Sequence, residues 1–74
     1  DAVLELPDGR WAGVEVKLGE AAADAAADSL LRMAAKIDQD RHGAPVALLV
    51  VTGGRYAYKR LDGVCVVPIT ALGP

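Results

Sequence analysis

Glu15-Val16-Lys17 is the segment whose side chains are best suited to chemistry, and Asp1 lies fourteen residues before Glu15. If the segment is a strand, Glu15 and Lys17 lie on one face, because side chains at i and i+2 point the same way. Two carboxylates and one ammonium group in one patch could hold a divalent cation and assist cleavage of a phosphodiester. The same residues are also common on a solvated strand face, which is the more frequent explanation when spacing is the only guide.

The loop between two predicted strands decides whether Asp1 meets Glu15. Residues 2–6 and 10–18 have the composition of strands, and Pro7-Asp8-Gly9 between them is typical of a three-residue hairpin loop with a left-handed glycine. In that register Asp1 faces Glu15. A two-residue loop would shift one strand by one residue and divide the apolar side chains between the two faces, so the three-residue loop is favoured.

The three-residue loop sorts the hairpin residues into two faces. One face collects the charges, and the other is nearly all apolar, so we expect the apolar face to pack on the core. Trp11 lies on the charged face, where it would cover the sheet or, less often, stack on a base. The charged face holds Asp1, Val3, Glu5, Trp11, Gly13, Glu15 and Lys17, and the apolar face holds Ala2, Leu4, Leu6, Ala12, Val14, Val16 and Leu18.

The remaining pattern predicts one helix and three more strands. Apolar residues recur at helical spacing over residues 19–39, and a valine-rich run at 46–52 has the length of a central strand. A second hairpin is expected from residues 55–60 and 64–67, with alternating Tyr56 and Tyr58 on one packed face. The order β-β-α-β-β-β predicts an α/β fold with one main helix on a mixed sheet.

Length and composition limit the classes of protein. Seventy-four residues allow a single domain, spanning residues 1–74, and a net charge of −2 provides no basic stripe for nucleic acid. No apolar run is long enough to cross a membrane, so no membrane partner is expected. Cys65 is the only cysteine, and its valine neighbours predict a thiol in a reducing compartment, hence a cytoplasmic protein. Because the chain lacks an initial Met and begins inside a predicted strand, we expect it to be a piece of a longer protein.

Asp1 opposite Glu15 needs an explanation, because like charges that face each other across a strand pair destabilise the sheet. A divalent cation bound by both carboxylates would remove the repulsion, and Mg²⁺ or Mn²⁺ suits this oxygen-rich ligand set. Lys17, one step along the same face, could also offset the repulsion between the two carboxylates. In a reaction Lys17 would orient the attacking water or stabilise the charge that develops on phosphorus.

The segments from Asp1 through Leu4-Glu5-Leu6-Pro7-Asp8-Gly9 to Gly13-Val14-Glu15-Val16-Lys17 resemble the pattern of the PD-(D/E)xK nuclease superfamily. In that pattern an Asp begins one strand and Glu-x-Lys lies on the next, in a restriction-endonuclease-like fold. Within that superfamily the pattern resembles more closely one branch, the uncharacterised C-terminal domain of bacterial and archaeal AAA-type P-loop ATPases. Further similar segments are Ser29-Leu30-Leu31-Arg32, Lys36-Ile37-Asp38, Tyr56-Ala57-Tyr58 and Asp62-Gly63-Val64.

The resemblance implies that Asp1 and Glu15 are metal ligands and that Lys17 is the catalytic lysine. It implies a fold whose N-terminal part is missing here, and a parent protein whose ATPase domain binds ATP and contacts this one. The substrate would be nucleic acid, and the cofactor Mg²⁺ or Mn²⁺. Two alternatives stay open: an inactive interaction or oligomerisation module with the same fold, including a homo-oligomer, and a structural domain whose strand charges are only solvated.

Overall fold

The computed structural model describes residues 2–19, 23–38 and 43–72. It contains one main helix and a five-stranded sheet in the predicted order β-β-α-β-β-β, so a small α/β domain is confirmed. A short 3-10 helix, Ile69–Leu72, follows the last strand. The strands are β1 (Ala2–Glu5), β2 (Trp11–Lys17), β3 (Ala47–Thr52), β4 (Tyr58–Lys59) and β5 (Cys65–Pro68), and the helix is α1 (Ala23–Ile37). The predicted helix also included residues 20–22 and 39, which lie outside the described ranges.

The sheet is mixed, with the strand order β1-β2-β3-β5-β4. β2, β3 and β5 are parallel, whereas β1 and β4 pair antiparallel at the two edges. Helix α1 is the crossover between β2 and β3, as a strand–helix–strand unit requires. The carboxyl ends of the three parallel strands therefore meet at one edge of the sheet, which is where open α/β sheets bind their ligands.

The first hairpin has the predicted register. Glu5 pairs with Trp11 and Val3 with Gly13, and the described pairing ends at Ala2 and Val14. Gly9 has a φ of 88°, and its amide donates a hydrogen bond to the carbonyl of Leu6, 2.9 Å away. A side chain would strain this left-handed backbone, which explains why glycine closes the loop.

Helix α1 covers the face of β2 that carries the charged residues, so the expected core face was wrong. Trp11 and Glu15 are buried on the helix side, whereas Val16, on the apolar face, is 55% exposed. A Cβ placed on Gly13 would lie 3.0 Å from both the Leu48 Cδ2 and the Met33 Cε atoms, so the glycine makes room for these side chains. The helix that links β2 to β3 packs on the Trp11–Gly13–Glu15 side, so contacts between elements, and not the count of apolar residues on β2, decide which face is buried.

The sequence of α1 explains how closely it can pack. Its buried side is mostly alanine around Leu30, and small side chains let the helix axis approach the sheet. The residues of the polar stripe, Asp24, Asp28, Arg32 and Lys36, are all exposed, as their four-residue spacing predicts. Across the part of the chain that the structure describes, no helix is long and apolar enough to span a bilayer.

Candidate functional site

Glu15 is a buried carboxylate on an inner strand of the sheet. It lies beside Val50 of β3, and only 8% of the residue is exposed. Its Oε2 atom has no hydrogen-bond partner within the described ranges. Removing a carboxylate from water without compensation costs several kcal/mol, so such groups are normally paired with a cation or a hydrogen-bond donor. The position therefore fits a group that binds a cation.

Lys17 lies two residues after Glu15 on the same face of β2, and it is exposed. It is paired in register with Thr52, the last residue of β3. The two side chains are thus roughly 7 Å apart along the strand, from the rise of about 3.3 Å per residue. Glu15 lies in the interior and Lys17 at the surface, where the parallel strands end.

Asp1, the third member of the predicted site, lies outside the described residues. Its pairing with Glu15 stays a prediction, and the observed register up to Ala2 is the one on which it was based. Among residues 2–19, 23–38 and 43–72, no group of three or more His, Cys, Asp or Glu side chains is placed to hold a metal ion. Glu15 and Lys17 are therefore the two predicted site residues that the structure brings together.

A groove of about 270 Å³ opens at the carboxyl end of β3, beside the site. Thr52 belongs both to this groove and to the register pair with Lys17, so the groove and the lysine are neighbours. The groove is lined by Ala23, Thr52, Gly54, Arg55, Tyr56, Tyr58 and Val66. An open groove at this edge of an α/β sheet is the expected location for a ligand.

The expected packing of Tyr56 and Tyr58 on one strand face was wrong, because both side chains line the groove and are largely exposed. Tyr56 is 77% exposed and Tyr58 49%. β4 is only two residues long and lies at the sheet edge, so Tyr56 falls before it and Tyr58 is only about half covered. The sequence did carry a signal: two tyrosines and an arginine follow a glycine pair at the predicted end of a parallel strand.

The glycine pair after β3 fixes the shape of this edge. A Cβ on Gly53 would lie 2.6 Å from the carbonyl oxygen of Leu18, so only glycine allows the ends of β2 and β3 to approach so closely. The amide of Gly54 donates a hydrogen bond to the Thr52 hydroxyl at 3.2 Å. Thr52 is buried, and this bond satisfies its oxygen, in contrast to the unpartnered carboxylate of Glu15.

Arg60 connects the second hairpin to the first turn of α1. Its guanidinium pairs with Asp24 on the helix and with Asp62 in its own loop, the latter at 3.1 Å. The hydrogen bonds that Arg60 donates, first to Asp62 and then to Asp24, raise its pKa above the ordinary value. The hydrogen bond donated by the Val64 amide, more than the one from Arg60, lowers the pKa of Asp62. Arg60 is therefore engaged by two carboxylates.

Trp11 belongs to the core, so stacking on a base is excluded for it in this structure. It is 3% exposed and packs in the main cluster of buried apolar residues. Its indole Nε1 donates a hydrogen bond to the carbonyl of Gly43 at 2.9 Å. That contact joins β2 to the segment that enters β3 and satisfies the polar atom of a buried ring.

Comparison with protein families, with curated proteins and with solved structures finds no match to this chain. The resemblance to the nuclease superfamily therefore stays a prediction.

Proposed function

We propose that this domain is a metal-dependent phosphodiesterase of the PD-(D/E)xK type, with a restriction-endonuclease-like fold, acting on nucleic acid. The observation that supports it is Glu15, which is buried, lacks a hydrogen-bond partner for Oε2 within the described chain, and precedes Lys17 on one strand face. Buried acids without partners are rare in structural roles and concentrate at functional sites. The solvated alternative does not explain why this acid is buried.

Glu15 and Asp1 would hold the cation, which is Mg²⁺ or Mn²⁺ in this proposal. The chemistry of the residues fits, because carboxylate oxygens are the preferred protein ligands of both ions. When bound, such an ion polarises a phosphoryl oxygen and lowers the pKa of its water. Glu15 contributes a ligand that the surrounding sheet holds in place, since both neighbouring strands are hydrogen-bonded to β2.

Lys17 would act on the reacting phosphate from the end of β2. Its side chain is exposed beside Thr52, so its ammonium group can reach a phosphate bound at the strand ends. A flexible lysine can hold the attacking water or stabilise the negative charge that develops on the phosphate oxygens. The main helix lies on the same side of the sheet and limits the direction from which a substrate can approach.

The resemblance to the PD-(D/E)xK superfamily also implies a parent protein for this domain. The domain would be the C-terminal part of a cytoplasmic AAA-type ATPase, and it would contact the ATP-binding domain of that parent. The small α/β fold, with one helix on a five-stranded mixed sheet, is compatible with such a nuclease-like domain. ATP would bind only in the parent domain, because this chain has no Gly-rich loop followed by Lys-Ser or Lys-Thr.

Nuclease assays on the 74-residue chain test this function. Cleavage of labelled single- and double-stranded DNA and RNA should require Mn²⁺ or Mg²⁺ and stop in EDTA. Lys17→Met should lower the rate about 100-fold, the scale of losing one charge-stabilising donor. The matched control, Lys36→Met, removes an exposed lysine on the outer side of α1 and should change the rate less than twofold. Metal-dependent cleavage unchanged in Lys17→Met would remove Lys17 from the mechanism.

The open face of the sheet favours a second candidate function, an inactive module that associates with itself. Leu4 and Val16 are each 55% exposed on this face, and Val14 and Leu49 are half-buried. No described helix covers these side chains. Exposed apolar patches of this kind mark interaction surfaces, and a second copy of the chain would bury the same face twice.

Sedimentation velocity distinguishes this alternative. The module should dimerise at micromolar concentration, and Val16→Asp should return it to a monomer, because a charge would be buried in the interface. Leu61→Asp is the matched control, since Leu61 is fully exposed in the second hairpin loop, and it should not alter the dimer. A wild-type chain that stays monomeric over the whole concentration range would exclude the alternative.

A further inference from the structure

The groove beside Lys17 exposes two aromatic rings to water. Tyr56 and Tyr58 line it together, and they are 77% and 49% exposed to solvent. Aromatic side chains usually bury their rings, because each ring removes a large apolar area from water. Two exposed rings in one concave surface therefore form a platform on which a flat ligand can stack.

The groove also provides a cation. Arg55 lines it and is exposed, and none of the ion pairs among the described residues involves it. Arg10 and Arg60, by contrast, are held by carboxylates. An unengaged guanidinium beside aromatic rings complements a ligand with a flat apolar part and a nearby anion, such as a base and its phosphate.

The volume of the groove and the net charge of the chain favour one nucleotide of a single strand as the ligand. A volume of about 270 Å³ is small for a pocket that encloses a whole drug-sized ligand, and it suits one base. A duplex would hide its base faces from the tyrosines and would bring a dense negative charge towards a chain of net charge −2. An unpaired strand offers free base faces and a lower charge density.

We infer that this groove, defined by Arg55, Tyr56 and Tyr58, binds an unpaired nucleotide of a nucleic-acid strand. A base stacks on the tyrosine rings, and its phosphate contacts Arg55. The choice of nucleic acid as ligand rests on the proposed function. Because Thr52 adjoins both the groove and Lys17, the strand would continue from the groove towards the lysine, and the groove would select single-stranded over double-stranded substrate.

Fluorescence anisotropy in EDTA tests the groove without cleavage. The probe is a labelled oligothymidylate of about 12 nucleotides, within the usual site size for single strands. Tyr56→Leu and Tyr58→Leu should each weaken binding about tenfold, whereas the matched variants Tyr56→Phe and Tyr58→Phe keep the ring and should bind as the wild type does. Arg55→Met should reduce the slope of log Kd against log salt by about 0.7.

Two competing ligands show what the groove binds. Thymidine monophosphate should bind far more weakly than the oligomer, and a duplex of the same length should compete poorly. Equal binding of the duplex, or unchanged binding after Tyr56 and Tyr58 are both changed to Leu, would overturn the inference. The single buried Trp11 provides a fluorescence check that each variant is folded.

Binding in the groove and the proposed catalysis can be tested independently. Lys36→Met, the control variant on the exposed stripe of α1, should leave binding in EDTA within twofold, because Lys36 does not line the groove. Metal-dependent cleavage without tyrosine-dependent binding would refute the groove and leave the proposed function intact. Tyrosine-dependent binding without cleavage under any metal would support the groove and refute the proposed catalysis.

Discussion

A carboxylate that is 8% exposed and has no hydrogen-bond partner for one oxygen among the described residues opposes the stability of the metal-free fold, because its removal from water is not offset. Glu15 is such a residue, and its position beside Val50 leaves it surrounded by sheet. Functional residues commonly oppose stability in this way, since the geometry that binds a ligand is strained or unsatisfied without it. Glu15 therefore gives a stability test that is independent of any activity assay.

Changing Glu15 to Met should stabilise the metal-free chain. Met has a similar shape and no charge, so the free energy of unfolding in EDTA should rise by about 1–3 kcal/mol, the penalty of one unsatisfied buried polar group. Urea denaturation followed by Trp11 fluorescence measures it. Glu5→Met, at an exposed position of β1, is the control and should stay within about 0.5 kcal/mol. A loss of stability in Glu15→Met would show that the carboxylate has a stabilising partner.

At the residue scale the sequence predicted the common face of Glu15 and Lys17 but not their different exposure. The shared face follows from strand alternation, which is a local property. Burial of Glu15 and exposure of Tyr56 depend on which side the helix packs and on how short β4 is, and both are tertiary properties. The burial of Trp11 could not be predicted from local sequence either, because its hydrogen bond to Gly43 joins residues far apart in the chain.

The two hairpins of the sheet use one loop design, and this is the element that local sequence predicts best. Gly9 and Gly63 have φ values of 88° and 91°, and each glycine amide donates to the carbonyl three residues earlier. In each loop the aspartate before the glycine accepts a hydrogen bond from the backbone amide two residues on. The Asp-Gly pair therefore fixes the loop through contacts that lie within five residues.

The Asp62 loop should make stability depend on pH. The pKa of Asp62 is lowered in the folded chain, so its contribution is present above its unfolded pKa of about 3.9 and is lost as pH falls through the lower folded pKa. Thermal unfolding of Asp62→Asn should show a lower Tm than wild type at pH 6, and the difference should shrink below about pH 4. Leu61→Ala, in the same loop, should not change the pH dependence. A constant difference between wild type and Asp62→Asn would contradict the ionic contribution.

The close approach of the β2 and β3 ends should depend on Gly53. Gly53→Ala places a methyl group 2.6 Å from the Leu18 carbonyl oxygen, a backbone atom that cannot move without distorting the strand end. We expect a loss of about 1–3 kcal/mol in the free energy of unfolding, from overpacking. Gly19→Ala is the control, because a Cβ there meets no atom within 4 Å, and the change should be below about 0.5 kcal/mol. Equal stabilities of the two variants in urea would contradict the packing at this edge.

The order of elements could be predicted from the sequence, but the face that α1 covers could not. Periodicity of 2 and of 3.6 residues identified the strands and the helix, and the valine-rich run identified β3. The number of apolar residues on each face of β2 predicted the wrong core face. Val14 and Val16 lie on the more apolar face, and Glu15 and Lys17 lie on the face that the helix covers. The packing of α1 on the sheet is a contact between elements, and the residues of a single strand do not reveal which of its faces the helix will cover.

On the scale of the whole molecule, the main helix and the five strands that the structure describes bring Lys17 and the groove to a single edge of the sheet. β2 ends with Lys17 and β3 with Thr52, and the groove with its tyrosines opens beside them. The opposite face of the sheet presents Leu4 and Val16 to solvent. The proposed catalytic edge and the apolar face are therefore on different surfaces, and binding at one leaves the other accessible.

The free energy of unfolding, measured at increasing Mn²⁺ concentration, distinguishes a metal site at Glu15 from a glutamate that is only solvated or structural. A ligand that binds only the folded chain at 100 times its Kd raises the free energy of unfolding by about 2.7 kcal/mol. The proposed site predicts a saturable increase of this kind for the wild type and none for Glu15→Met, with Glu5→Met responding like the wild type. A wild type that does not respond, or an equal response in Glu15→Met, would contradict the metal site.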